Sequence, residues 1–173
     1  MKKATLFLLG ILVGIMIGAP LSFAETVSQS GIDSQSIIEL TNKNREERNL
    51  LPLQENAELD EVALLKAKDM ANKGYFSHVS PDGKTPWYWF KLSGYSFDYA
   101  GENLAVLFDS SENIVEAWMN STSHKKNILS SDYSEIGIGM ATGTYKGQET
   151  VFVVQVFGHK KTTNTINKNI SRK

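Results

Sequence analysis

Val151–Phe157 reads as a nearly unbroken apolar strand, interrupted only by Gln155. A strand that is apolar on both faces has to be covered on both faces, which puts it at the centre of a sheet between two layers. Upstream, Glu135–Met140 places Ile136, Ile138 and Met140 on one face, the alternation of a second strand. The connecting stretch Thr142–Gly147 holds two glycines and supports a hairpin. Covering material is supplied by a run in which Leu59, Val62, Ala63, Leu65, Ala67 and Met70 recur at helical spacing, with Gly74 placed to cap its end.

The other elements follow from local signals. Asp33 or Ser34 caps a helix with Ile37, Ile38 and Leu40 on its apolar side, and this helix fades at Asn49. Arg45 on that helix reads as a brace, through an ion pair. Pro86 fits the first turn of a short aromatic helix, Trp87–Leu92, closed by Ser93-Gly94. Its aromatics read first as core, with a sugar-stacking platform as the other use. Gly101-Glu102-Asn103-Leu104 starts another ordered segment. Ser110 or Ser111 caps a helix through Met119 with Ile114, Val115 and Trp118 inward, and Ser121–Leu129 is a polar loop or short helix.

The two ends carry a different kind of information. Lys2 and Lys3 precede the apolar run Leu6–Ala19, and Ser22-Phe23-Ala24 supplies small residues for cleavage. The run is shorter than the roughly 20 residues of a membrane span. Residues 1–24 are therefore expected to be a signal peptide, residues 25–32 a flexible leader, residues 33–158 one domain, and residues 159–173 a basic disordered tail. Retention of the first segment as an anchor is the competing expectation. For the tail, attachment to an anionic wall or membrane surface competes with a solubilising role. Losing Lys2 and Lys3 moves the formal charge from −1 to −3, a balance that does not favour nucleic acid. The absence of cysteine excludes thiolate metal sites and a cysteine nucleophile.

Chemistry-bearing residues concentrate between Tyr75 and Leu129. His78, Glu102 and His124 lie in turn-rich segments, and two imidazoles with one carboxylate can serve as a Zn²⁺ ligand set with one position open to water. The same three can act without metal as a general base, an orienting carboxylate and a water site, or can simply satisfy backbone turns. Ser121 with His124 and Glu102 is a further catalytic arrangement, although no G-x-S-x-G elbow surrounds Ser121 and capping of the His124 segment is its plainer role. Gly137-Ile138-Gly139 lacks the helix and lysine of a phosphate loop.

Several of these segments, taken in order, carry a resemblance. They are Asn42-x-x-Arg45, Phe76-Ser77-His78 with Pro81-Asp82-Gly83, Gly101-Glu102-Asn103-Leu104, Trp118-Met119-x-Ser121 with His124-Lys-Lys-Asn127-Ile128-Leu129, Ile136-Gly137-Ile138-Gly139 and Val154-Gln155-Val156-Phe157-Gly158. The set resembles the CAP superfamily of cysteine-rich secretory, antigen 5 and pathogenesis-related 1 proteins (the SCP domain), in its cysteine-free bacterial branch. The resemblance implies an α+β fold, a three-layer α-β-α sandwich around a central antiparallel sheet. It also implies a cleft of two His and two acidic residues that binds divalent cations such as Zn²⁺, to which His78, Glu102 and His124 correspond. Ser121 stands where eukaryotic relatives have the second acid, and Glu116 is expected on another face, which leaves a three-ligand or metal-free site. The function expected is an exported binding or signalling module without turnover. An extracellular hydrolase of peptide, cell-wall or nucleic-acid bonds and a lipid-binding carrier around Trp87–Phe90 are the alternatives. Expected partners are an extracellular wall or surface component, a peptide or a lipid, with the chain a monomer.

Overall fold

A computed structural model describes residues 31–161. The expected signal segment, most of the leader and the tail beyond Lys161 lie outside the described residues. Within them the chain runs α1 (Ser34–Glu46), β1 (Gln54–Glu55), α2 (Ala57–Lys73), α3 (Pro86–Ser93), β2 (Phe97–Ala105), α4 (Ser111–Asn120), α5 (Thr122–Ile128), β3 (Glu135–Tyr145) and β4 (Gln148–Lys160). The helix ends follow local chemistry. Asp33, Asn56 and Ser110 accept backbone N–H bonds as caps of α1, α2 and α4, and Gly74 and Gly94 end α2 and α3 at φ 66° and 82°.

The strand order is β1-β3-β4-β2. β3 and β2 both pair antiparallel with β4. The expected all-antiparallel sheet is corrected at one margin: the two residues of β1 run parallel to β3. The chain leaves β1 straight into α2 and passes through α3, β2, α4 and α5 before it enters β3.

β4 carries the two-faced burial that its sequence demands. Val153 and Phe157 pack in one cluster with Ile37, Ile114, Trp118 and Ile128 of α1, α4 and α5. Phe152, Val154 and Val156, one residue out of phase, pack in a second cluster with Leu59, Val62, Met70 and Phe90 of α2 and α3. The result is the three-layer α+β sandwich, with a core on each side of the sheet.

Three details depart from expectation. The hairpin turn is only Lys146-Gly147, both at positive φ (50° and 81°), the two-residue geometry that matches strand twist. Gly143 is instead inside β3, where a Cβ would meet Ala71 Cβ at 2.8 Å. β4 also continues past Gly158, with His159 and Lys160 opposite Tyr99 and Phe97. The strand therefore runs two residues beyond Gly158, through Lys160. The cause is backbone pairing offered by β2, which the polar composition after Gly158 does not reveal.

Gly137, Gly139 and Gly143 share one face of β3, and that face receives α2 without intervening side chains. A Cβ on Gly137 would overlap the backbone of Leu59 and Asp60, and one on Gly139 the backbone of Ala63 and Leu64. Gly139→Ala is therefore expected to lower unfolding free energy by about 3 kcal/mol in urea denaturation, an overpacking that no rotamer relieves. Gly83→Ala is the control. It has φ +80° but nothing within 4 Å of a new Cβ, so it carries only backbone strain. Equal losses for the two variants would mean that α2 is not seated on the glycine face.

Candidate functional site

The site forms at the outer edge of the sheet, because β2 is its last strand. Alternation along β2 sends Glu102 and Leu104 toward the α2/α3 layer, and Asn103 and Ala105 toward the α1/α4/α5 layer. At an edge strand, loops from both layers reach the same place. His78 arrives from the segment after α2, and His124 arrives on α5.

His78 meets Glu102 directly. Its Nδ1 lies 2.6 Å from Glu102 Oε1. The carboxylate side chain is 4 % exposed and the imidazole side chain 52 % exposed. A buried carboxylate thus orients a ring that presents itself to solvent. With Nδ1–H donating to Glu102, Nε2 is left free as an acceptor.

The position of His78 is fixed from beneath by a residue that sequence reading missed. Lys66 is completely buried, in phase with Val62 and Met70, whereas Leu65, expected inward, is only half-buried. Lys66 Nζ donates to the carbonyls of Ser77 (2.7 Å) and His78 (3.0 Å) and to Tyr75 Oη (3.0 Å). Burial pushes its pKa below the ordinary lysine value, and the Glu102 and Asp69 carboxylates oppose that shift. Tyr75 Oη donates in turn to Asp69 Oδ2 at 2.6 Å. Lys73 joins Asp69 (2.7 Å) and Asp82 (3.0 Å). Positions 66, 69 and 73 share one face of α2, so one helix face holds the whole His78 segment. The available signal was a lysine standing in the apolar stripe.

His124 is tied down through its backbone. Asn103 Nδ2 donates to His124 O at 3.3 Å and to Gln155 Oε1 at 3.0 Å. Asn127 Nδ2 donates to Asn103 Oδ1 (2.9 Å) and Glu102 O (3.1 Å), and Gln155 Nε2 to Thr41 Oγ1 (2.9 Å). This ladder binds α5 to β2, β4 and α1. The polar Gln155 inside an apolar strand belongs to it. Burial first, and then the charge of His78, hold the His124 pKa below the ordinary 6.5. The second cause places the two imidazoles within each other's field.

Ser121 and the expected metal set fare differently. Ser121 occupies the N-cap position of α5 without a side-chain cap bond, and its Oγ pairs with Ser123 Oγ at 3.3 Å. No hydrogen bond among the described residues joins it to His124. Glu116 is exposed on α4. Among the described residues no group of three or more His, Asp or Glu is arranged to hold a metal ion. Nδ1 of His78 faces Glu102 Oε1, which leaves His78 Nε2 and the His124 ring as the nitrogens that would hold an ion.

The model of the cysteine-rich secretory protein (CAP) family matches residues 38–157. The chain belongs to that family. CAP relatives include the uncharacterized protein YkwD of Bacillus subtilis, 42 % identical over 105 residues that span 61 % of this chain and 41 % of the relative. The uncharacterized membrane protein YlbC of the same organism is 35 % identical over 61 % of this chain and 31 % of its own. The chain thus spans less than half the length of these curated relatives. Among solved CAP-like structures, an extracellular SCP-domain protein of Bacillus anthracis superimposes with TM-score 0.61 at 32 % identity, over 73 % of this chain and 40 % of that one. An outer surface protein of Borrelia burgdorferi gives TM-score 0.63 at 27 % identity, over 73 % and 92 %. No helix among the described residues is long and apolar enough to cross a membrane.

Two measurements examine this CAP site. In an NMR titration, His124 should take up its proton below pH 6.5, and His78→Ala should move that midpoint upward without restoring it fully, since burial remains the larger cause. Because the folded pKa is depressed, stability should fall as pH drops from the unfolded value toward the folded one. A His124 midpoint indifferent to His78→Ala would separate the two rings. Lys66→Met should shift or broaden the His78 imidazole resonances, leave those of His159 in place, and cost about 2 kcal/mol of stability. Unchanged His78 signals in the folded variant would deny Lys66 its positioning role.

Proposed function

We propose that the chain is an exported CAP module that binds an extracellular ligand, without turnover, on the surface around His78, Glu102 and His124. The observation carrying this reading is the 2.6 Å bond by which buried Glu102 orients a half-exposed His78. A ligand then meets one fixed hydrogen-bonding ring and one imidazole kept neutral near pH 7. The extracellular and outer-surface descriptions of the solved neighbours support placement outside the cell. A polysaccharide or peptide of the wall suits such a surface, since both offer dense hydrogen-bonding groups.

The same bond also favours a second reading. A carboxylate-oriented imidazole is the arrangement of a general base, with Nε2 aimed at a water. In that reading the chain is a metal-independent extracellular hydrolase whose scissile bond sits between His78 and His124. Ser121 is not required in it.

One experiment separates the two. Purified full chain is incubated with peptidoglycan, casein and DNA, and both retention and fragment release are measured. The binding reading expects peptidoglycan retention without release, and retention lowered about tenfold or more in His78→Ala/His124→Ala, the scale of two lost hydrogen bonds. Retention unaffected by the double variant refutes that surface. Fragment release that vanishes in His124→Ala and persists in Lys125→Ala establishes the hydrolase instead.

A further inference from the structure

A second cation is buried on the other side of the molecule, and it lacks a counter-charge. Arg45, in the last turn of α1, is 2 % exposed. The ion pair expected of it does not form among the described residues. Its guanidinium clamps carbonyls instead: Nε donates to Leu51 O (2.9 Å), and Nη1 to Ile128 O (2.8 Å) and Ser130 O (2.7 Å). These three bonds explain the buried position but leave both N–H groups of Nη2 without an acceptor among the described residues. Arg45 lines a cavity of about 720 Å³.

The walls of this cavity have a definite chemistry. The α1–β1 connection contributes Leu51, 83 % exposed, and Pro52. The segment before β3 contributes Ser131 and Ser134, and the end of β4 contributes His159, whose Nδ1 lies 3.1 Å from Ser134 Oγ. Lys160 is also present, paired with Glu58. One carboxylate, Glu135, shares the wall, and its two oxygens already accept from Asn56 Nδ2 and Tyr95 Oη. Its charge disfavours a dianion more than a monoanion. Leu51 and Pro52 offer apolar surface that a free inorganic anion does not use.

We propose that this cavity binds the terminal carboxylate of a peptide ending in an apolar residue. The carboxylate accepts from Arg45 Nη2, a charge-assisted bond to a desolvated guanidinium, and the apolar side chain covers Leu51 and Pro52. The site shares no residue with the His78–Glu102–His124 group, so each stands or falls without the other.

The test uses isotopically labelled full chain and N-acetyl-leucine, with N-acetyl-leucinamide and inorganic phosphate as separate arms. The expected result is saturable movement of the Leu51, Ser131 and Ser134 amide signals with the carboxylate alone. Leu51→Glu replaces a side chain that the core does not use, so the fold is kept while a like charge enters the rim. It should weaken binding about tenfold. Equal response to the amide, response to phosphate in place of the carboxylate, no response at millimolar concentrations, or undiminished affinity in Leu51→Glu each overturns the proposal.

Discussion

The bare-backbone contact between α2 and β3 governs the rest of the molecule. Glycines at 137, 139 and 143 let the helix sit directly on the strand, closer than any side chain permits. That proximity sets the height and rotation of α2, and therefore where Lys66, Asp69 and Tyr75 stand. Lys66 grips the next stretch of chain by its carbonyls and carries His78 over the sheet edge to Glu102. A feature that reads in one dimension as two glycines in a strand is, in three, the foundation on which an imidazole is aimed.

Placing the site at an edge strand solves a topological problem. Residues on opposite faces of a central strand are separated by the sheet, but at β2 the two outer layers can bend round and meet. His78 comes from one layer and His124 from the other. The Asn127–Asn103–Gln155–Thr41 ladder lies on the α1/α4/α5 face of the sheet and fixes His124 there. A buried polar chain of this kind tolerates few alternatives, since a slipped strand would leave several amides unpaired at once.

Lys66 and Arg45 follow a common logic. Each is a buried cation held mainly by main-chain carbonyls of irregular segments. Carbonyl clamps pin loops that have no secondary structure to hold them. They also leave the cationic charge available, to the Glu102 field in one case and to the open cavity in the other.

The periodic parts of this fold were legible in the chain itself. Apolar spacing from Leu59 to Met70, the alternation around Ile136, the two-faced run at Val151–Phe157 and the caps at Asp33, Gly74, Gly94 and Ser110 are local, so propensity and burial reveal them. His78, Glu102 and His124 were legible as candidates because their turns carry a family pattern. Their pairing was not, since positions 78, 102 and 124 are linked only through long-range register. Tertiary structure alone decided that Lys66 turns inward, that Gln155 is a rung and not an exception, that β4 continues through Lys160, and that Arg45 clamps carbonyls. Each of these depends on which distant backbone group offers a hydrogen bond, and residue type and spacing along one strand of chain do not encode that.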